Sequence, residues 1–205
     1  MLVVLAFVPI ILLRDFTPLN ELRYLSIADE ALLNDRIFTF TNHGMPYADK
    51  PPLFLWFIML AKSLLGSHQM WFLALGSLLP ALVIIKTMDH WVKDELNPVN
   101  RLSAQLMLLT SGLFLGTALV IRMDMLMCMF IVLSLNTFYR MYKERPRKWD
   151  GFLFPFYVFM ALFSKGPFGL LIPLLTTMIF LLINNKIRKT GQYWGWKTWL
   201  LLIIL

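Results

Sequence analysis

The stretch RMDMLMCMFIVLSLNTFYRMYKERPRK, residues 122–148, sets an apolar run against a basic tail. Residues 125–139 carry no charge, and residues 140–148 hold five Lys/Arg against one Glu. An uncharged run ending in a basic loop is the pattern of a membrane helix that finishes at the cytoplasmic surface. Working outward, further apolar runs lie at 53–65, 71–88, 102–120, 152–164 and 166–183. Another covers 1–13, and one begins at 194 and continues to 205.

Composition agrees with that reading. Of 205 residues, 59% are hydrophobic and only 15% charged, and mean hydropathy is +0.67. Soluble domains average about a quarter charged residues. A water-soluble fold could not hide this much apolar surface, so the chain is expected to be an all-α polytopic membrane protein. The single cysteine, Cys128, excludes an internal disulfide and a cysteine metal cluster, and reads as a small buried hydrophobe. The net charge of +7 sits in short loops between apolar runs, where the positive-inside rule explains it without nucleic acid.

Loop charge also sorts the ends of the runs. Residues 184–190 carry three basic groups and no acid, so they join 140–148 on the cytoplasmic side. Residues 14–52 carry four basic groups against six acidic ones, the profile of an external loop. Counting runs in both directions from 140–148 puts Arg122-Met123-Asp124 outside, Ser164-Lys165-Gly166-Pro167 outside, and the mixed loop 86–101 inside. On that count 53–65 does not cross. Its 13 residues would reach only about 20 Å, so it is expected to lie in the interface, within an external region 14–66. The run 1–13 has no basic leader or small-residue cleavage site and does not read as a signal peptide. Both terminal runs are too short to span, and the sequence is expected to be the N-terminal part of a longer transmembrane domain.

The external loop carries most of the chemistry. TPLNELRYLSIADEALLND (17–35) is expected to form an amphipathic helix, with Leu22, Leu25, Ala28 and Leu32 on its apolar side. Asn20 and Glu21 fall near its N-terminus; on their own they read equally as a cap and a first-turn acid. Asn42-His43-Gly44 is a turn signal. Pro51-Pro52 makes a stiff strut that presents Lys50 just before run 53–65, where a lysine can meet a lipid phosphate or simply snorkel. Arg122 and Asp124 lie between apolar runs, where charges are costly and are paired or functional. His43, His68 and His90 are too scattered to form a metal site.

Taken in order, NELRYLSIADEALL, then Gly44-Met45-Pro46-Tyr47-Ala48-Asp49-Lys50-Pro51-Pro52-Leu53, then Arg122-Met123-Asp124, then Ser164-Lys165-Gly166-Pro167, the chain resembles a bacterial family. These are the lipid-linked-sugar transferases related to protein O-mannosyltransferases and to the 4-amino-4-deoxy-L-arabinose transferase of lipid A. The resemblance implies a GT-C fold and transfer of a sugar from a polyprenyl-phosphate donor to a hydroxyl or phosphate of a lipid, glycan or protein acceptor. It implies a multi-pass protein of the bacterial cytoplasmic (inner) membrane, acting at the external, periplasmic face. Lys50 with Arg122 or Lys165 would neutralise the donor phosphate, and Glu21 or Asp124 would take the acceptor proton. Arg23, Tyr24, Tyr47 and Asp49 would support them. The family carries Asp-Glu where this chain has Asn20-Glu21, and an amide is no general base at neutral pH, so Asn20 would position the acceptor. No cofactor is called for; a divalent metal is compatible with the family, but no spacing indicates one. A lipid-linked-sugar flippase and a non-catalytic membrane subunit are the competing readings.

Overall fold

A computed structural model describes Pro9 and residues 13–205. The expected helix at 1–13 therefore lies, apart from Pro9 and Leu13, outside the described residues. The loop region folds into helix α1 (Glu21–Leu33), a hairpin of β1 (Phe40–Asn42) and β2 (Met45–Tyr47), and helix α2 (Leu53–Leu65). In the hairpin Asn42 pairs with Met45, leaving His43 and Gly44 as a two-residue turn with φ of 53° and 76°. Two successive positive φ values make a turn whose twist matches the strands, the role the Asn-His-Gly signal called for. The Glu30 carboxylate clamps it, accepting from the Thr41 hydroxyl at 2.6 Å and the His43 N–H at 2.6 Å.

Five longer helical stretches then run back and forth. They are α3 (Met70–Val92), α4 with α5 (Pro98–Thr110 and Gly112–Leu119), α6 (Asp124–Tyr142), α7 (Asp150–Lys165) and α8 (Phe168–Ile183). Short turns at Ile187–Lys189 and Thr190–Tyr193 lead into α9 (Trp196–Ile204). Helices α3 and α6 are each long and apolar enough to cross a membrane. Leu79 and Val83 on α3, and Leu171, Leu175 and Ile179 on α8, remain exposed on the protein, as lipid-facing side chains should.

The run 102–120 is not one helix. It begins at Pro98, capped by Asn97, whose side-chain oxygen accepts the Asn100 N–H at 2.8 Å. It breaks at Ser111, whose ψ of 119° is extended, and α4 and α5 meet at a bend of 63°. A Ser-Gly pair is a recognised cause of such a break. Helices α7 and α8 form a tight hairpin through Gly166 and Pro167. At Gly169 a Cβ would overlap the Ala161 carbonyl, so glycine sets how closely the two helices approach.

The helical ends sort into two groups. At one end, Asp89 of α3 accepts from Arg101 (2.9 Å) and Gln105 (2.7 Å) of α4. There too the buried Asp150 takes both prongs of Arg140, at 3.0 and 2.6 Å, and Lys186 lies over the Tyr142 ring. The basic segments 140–148 and 184–190 and the mixed loop 86–101 thus share this end. The opposite end gathers the first loop, residues 119–124 and residues 164–167.

Candidate active site

The opposite end is assembled around one apolar cluster. Tyr24, Leu25 and Ile27 of α1, Phe54, Leu55 and Ile58 of α2, and Ile121 and Met123 ahead of α6 are all buried in it. Each such side chain withdrawn from water contributes roughly 2 kcal/mol. The buried face of α1 is turned relative to the expected one. Tyr24, Leu25, Ala28 and Ala31 point inward, whereas Leu22 is 45% exposed. The exchange brings Glu21, at the head of the same stripe, inside.

Glu21 is fully buried and each of its oxygens is engaged. It accepts from both Arg14 guanidinium prongs at 2.8 and 2.5 Å, from the Thr17 N–H at 2.7 Å and from the Ile121 N–H at 2.6 Å. Burial alone would raise its pKa, but the Arg14 contacts and the two backbone donors outweigh it and hold the carboxyl below its ordinary value. Arg14 also donates to the Leu119 carbonyl at 3.0 Å.

Between α5 and α6 the chain leaves helical geometry for a few residues, and its bare peptide groups need partners. Glu21 and Arg14 supply two of them, and Ser77 of α3 supplies others. The Ser77 hydroxyl donates to the Val120 carbonyl at 2.7 Å and accepts the Arg122 N–H at 3.3 Å. With Ile121 and Met123 buried on either side, Arg122 is left facing out, 39% exposed.

Asp124, the first residue of α6, is bracketed by two cations. Its Oδ2 lies 3.1 Å from the Arg122 Nε, an ion pair without good hydrogen-bond alignment, and its Oδ1 pairs with Lys165 at the end of α7. Arg122 and Asp124 thus pair with each other, one of the readings open to them in the sequence, and Lys165 joins them from 41 residues away. Side-chain exposures of 21% for Asp124 and 27% for Lys165 leave the group open to a ligand.

Lys50 is at this same end but outside that trio. Tyr47 before it and Phe54 after it both pack on the cluster that holds Met123. Its ammonium lies 3.0 Å from Asp49. Helix α2 is tied to α7 by an edge-on contact of Trp56 with Phe163 at 5.5 Å, two residues before Lys165. The Trp56 indole N–H donates to the Ile37 carbonyl at 2.7 Å. Beside it, a mainly apolar cavity of about 370 Å³ runs between α1 and α2, lined by Ala31, Leu32, Ile37, Trp56, Met59 and Leu60 together with Asp35 and Ser63.

The supporting residues form a shelf between α1 and β2. Arg23 lies over the Tyr24 ring at 5.4 Å, and Tyr24 meets Phe54 edge-on. Burial, with Tyr24 and Asp49 nearby, pushes the Tyr47 phenol up to about 12, so it stays protonated as a donor. Its hydroxyl has no hydrogen-bond partner among the described residues. Asn20, at the N-cap position of α1, makes no capping hydrogen bond, so its half-exposed amide is free of that duty. His43 is the turn residue, and His68 pairs with Asp29 at 2.6 Å beside Lys62. Among the described residues no three His, Cys, Asp or Glu side chains are grouped to hold a metal.

Sequence reasoning missed Arg14, Ser77 and Trp56; of these only Ser77 touches the ionic trio, through the Arg122 backbone. The one signal for Ser77 is a hydroxyl inside an otherwise apolar run.

Residues 49–205 match the family model described as dolichyl-phosphate-mannose-protein mannosyltransferase. The chain belongs to this mannosyltransferase family. No curated protein matches it. Among solved structures, the fold is similar to ArnT from Cupriavidus metallidurans in the apo state, with a TM-score of 0.80 and 18% identity over 99% of this chain. ArnT from the same organism bound to undecaprenyl phosphate gives a TM-score of 0.83 at 17% identity, again over 99% of the chain. The chain spans 39% and 38% of those two proteins. Family membership and fold together make this a membrane protein of the glycosyltransferase GT-C type, as the motifs from Asn20 to Pro167 led us to expect.

Proposed function

We propose that the protein transfers a sugar from a polyprenyl-phosphate donor to an acceptor on a lipid, glycan or protein, at the external face of the bacterial cytoplasmic membrane. The observation that carries the reading is the trio of Asp124 held between Arg122 and Lys165, at the same end of the helices as Lys50. Three cations and one carboxylate suit a site where a phosphate must be met and a proton removed. The undecaprenyl phosphate bound in the ArnT structure supports a donor of this lipid class. The basic segments at the opposite end support the external orientation.

The mechanism follows from competition for the two cations. In the resting protein Asp124 neutralises Arg122 and Lys165. The donor phosphate, arriving beside Lys50, takes over part of their charge and loosens their hold on the carboxylate. Asp124 then accepts the proton of the acceptor hydroxyl as its oxygen attacks the anomeric carbon. The bond from that carbon to the phosphate oxygen breaks, and polyprenyl phosphate leaves with the electron pair, its charge met by the cations. Glu21, walled in by Arg14 and Ile121, serves as a positioning residue rather than as the base. Asn20 and the Tyr47 hydroxyl have polar groups left for the acceptor or the sugar. The apolar cavity between α1 and α2 takes the start of the prenyl chain.

The test is a radiolabelled polyprenyl-phosphate-sugar assay on the full-length protein in liposomes. Transfer of label to an acceptor that is lost in Asp124→Asn supports the proposal. Movement of intact donor across the bilayer without transfer would establish a flippase instead.

A further inference from the structure

The end of the molecule remote from the ionic trio has a cavity that the transferase reading does not use. It has two lobes, of about 510 and 300 Å³, which share His90, Asn136, Arg140 and Arg147. The larger lobe is lined by the cations Lys93, Lys143 and Arg145, opposed by Asp94 and Glu95. The smaller adds Lys86 and runs inward along apolar side chains, Leu133 of α6 and Leu153 and Tyr157 of α7. Arg140 is neutralised by Asp150, but the side chains of Lys86, Lys93, Arg145 and Arg147 pair with no acid among the described residues. Asn136, only 8% exposed and lining both lobes, has a carboxamide with no hydrogen-bond partner among the described residues.

We infer that this cavity binds an anionic glycerophospholipid, its phosphodiester held by Arg145, Arg147 and Lys93, and an acyl chain entering beside Leu133, Leu153 and Tyr157. A mouth rich in unpaired cations, placed where helix ends meet the membrane surface, suits a phosphodiester anion; basic pockets between membrane helices are known to hold such headgroups. The buried Asn136 amide offers a donor and an acceptor to the ester or glycerol oxygens, which a free phosphate lacks. The apolar lobe is what a lipid can fill and an inorganic ion cannot. This site stands apart from the transfer chemistry and does not depend on it.

The full-length protein, delipidated in a zwitterionic detergent, would be titrated with phosphatidylglycerol while its thermal unfolding is followed. We expect saturable stabilisation by phosphatidylglycerol, and none by phosphatidylcholine of the same chains or by inorganic phosphate. Each basic group near an anionic lipid adds enough affinity that R145Q/R147Q weakens binding by roughly thirtyfold, and the charge reversal R145E/R147E by more. K186E/R188E, which reverses two charges at the same end outside the cavity, leaves binding unchanged. If the first reversal does not fold, R145Q/R147Q and N136L make the same comparison. Equal stabilisation by phosphatidylcholine, full reproduction by inorganic phosphate, equal loss in K186E/R188E, or wild-type affinity in the cavity variants would each overturn the assignment.

Discussion

The Glu21 carboxylate and the Ile121 N–H, 100 residues apart in the chain, meet in a buried hydrogen bond of 2.6 Å. Through it the first loop holds the short non-helical segment from which Arg122 and Asp124 project. Glu21→Ala leaves Arg14 and that peptide group without their partner, in a region with little water. Losing one member of a buried pair costs about 3 kcal/mol or more. We expect a clear fall in the thermal midpoint together with a loss of transfer, whereas Glu21→Asp, which keeps the charge, restores part of both.

The same contact gives a pH dependence with a definite sign. The folded Glu21 pKa lies below its ordinary value, so its stabilisation is complete above the unfolded carboxylate range, near about 4.3. It is lost as pH falls from there through the depressed folded value. Unfolding scans between about pH 6 and pH 3 should show a steep acid loss that is shallower in Glu21→Gln. Equal slopes would mean that the Arg14 pair does not govern loop docking.

Asp124 and Lys165 are expected to fail in different ways. Asp124→Asn removes the proton acceptor and frees both cations for the donor phosphate, and should lower kcat by roughly 100- to 10,000-fold without raising donor KM. Lys165→Ala removes a phosphate partner and should raise donor KM as well as lowering kcat. Steady-state kinetics at varied donor concentration separate the two.

Among the described residues Lys50 makes one ion pair, with Asp49 on the surface, and surface pairs contribute about 0–1 kcal/mol. Lys50→Ala should therefore leave the thermal midpoint nearly unchanged while transfer falls sharply. Transfer close to wild type would remove Lys50 from the phosphate site.

Much of this arrangement is legible in the sequence, for reasons that differ from part to part. Lys and Arg density in 140–148 and 184–190 told the helix ends apart because charge placement in a membrane protein obeys a simple energetic rule. Pro51-Pro52 and Asn42-His43-Gly44 act locally, so their strut and turn could be read without tertiary information. The orientation of α1 could not. Its apolar face is defined by what Phe54 and Met123 press against, and Leu22 matches the helical period as well as Tyr24 does. The break at Ser111 was hidden for a related reason: an uninterrupted apolar run looks the same whether it is straight or bent. Nor could spacing reveal that Glu21 would be buried, since only its distant partner Ile121 and the stripe of α1 decide it.

The irregular stretch between α5 and α6 has a consequence for biogenesis. Until the Glu21 carboxylate and the Arg14 guanidinium arrive, the Ile121 amide and the Leu119 carbonyl have no partner at that depth. The early-made first loop must therefore wait for a segment made much later, and only their meeting allows both to settle. Folding of the loop and docking of that segment become a single checkpoint, at which a nascent chain carrying a faulty loop is left with an unpaired polar seam.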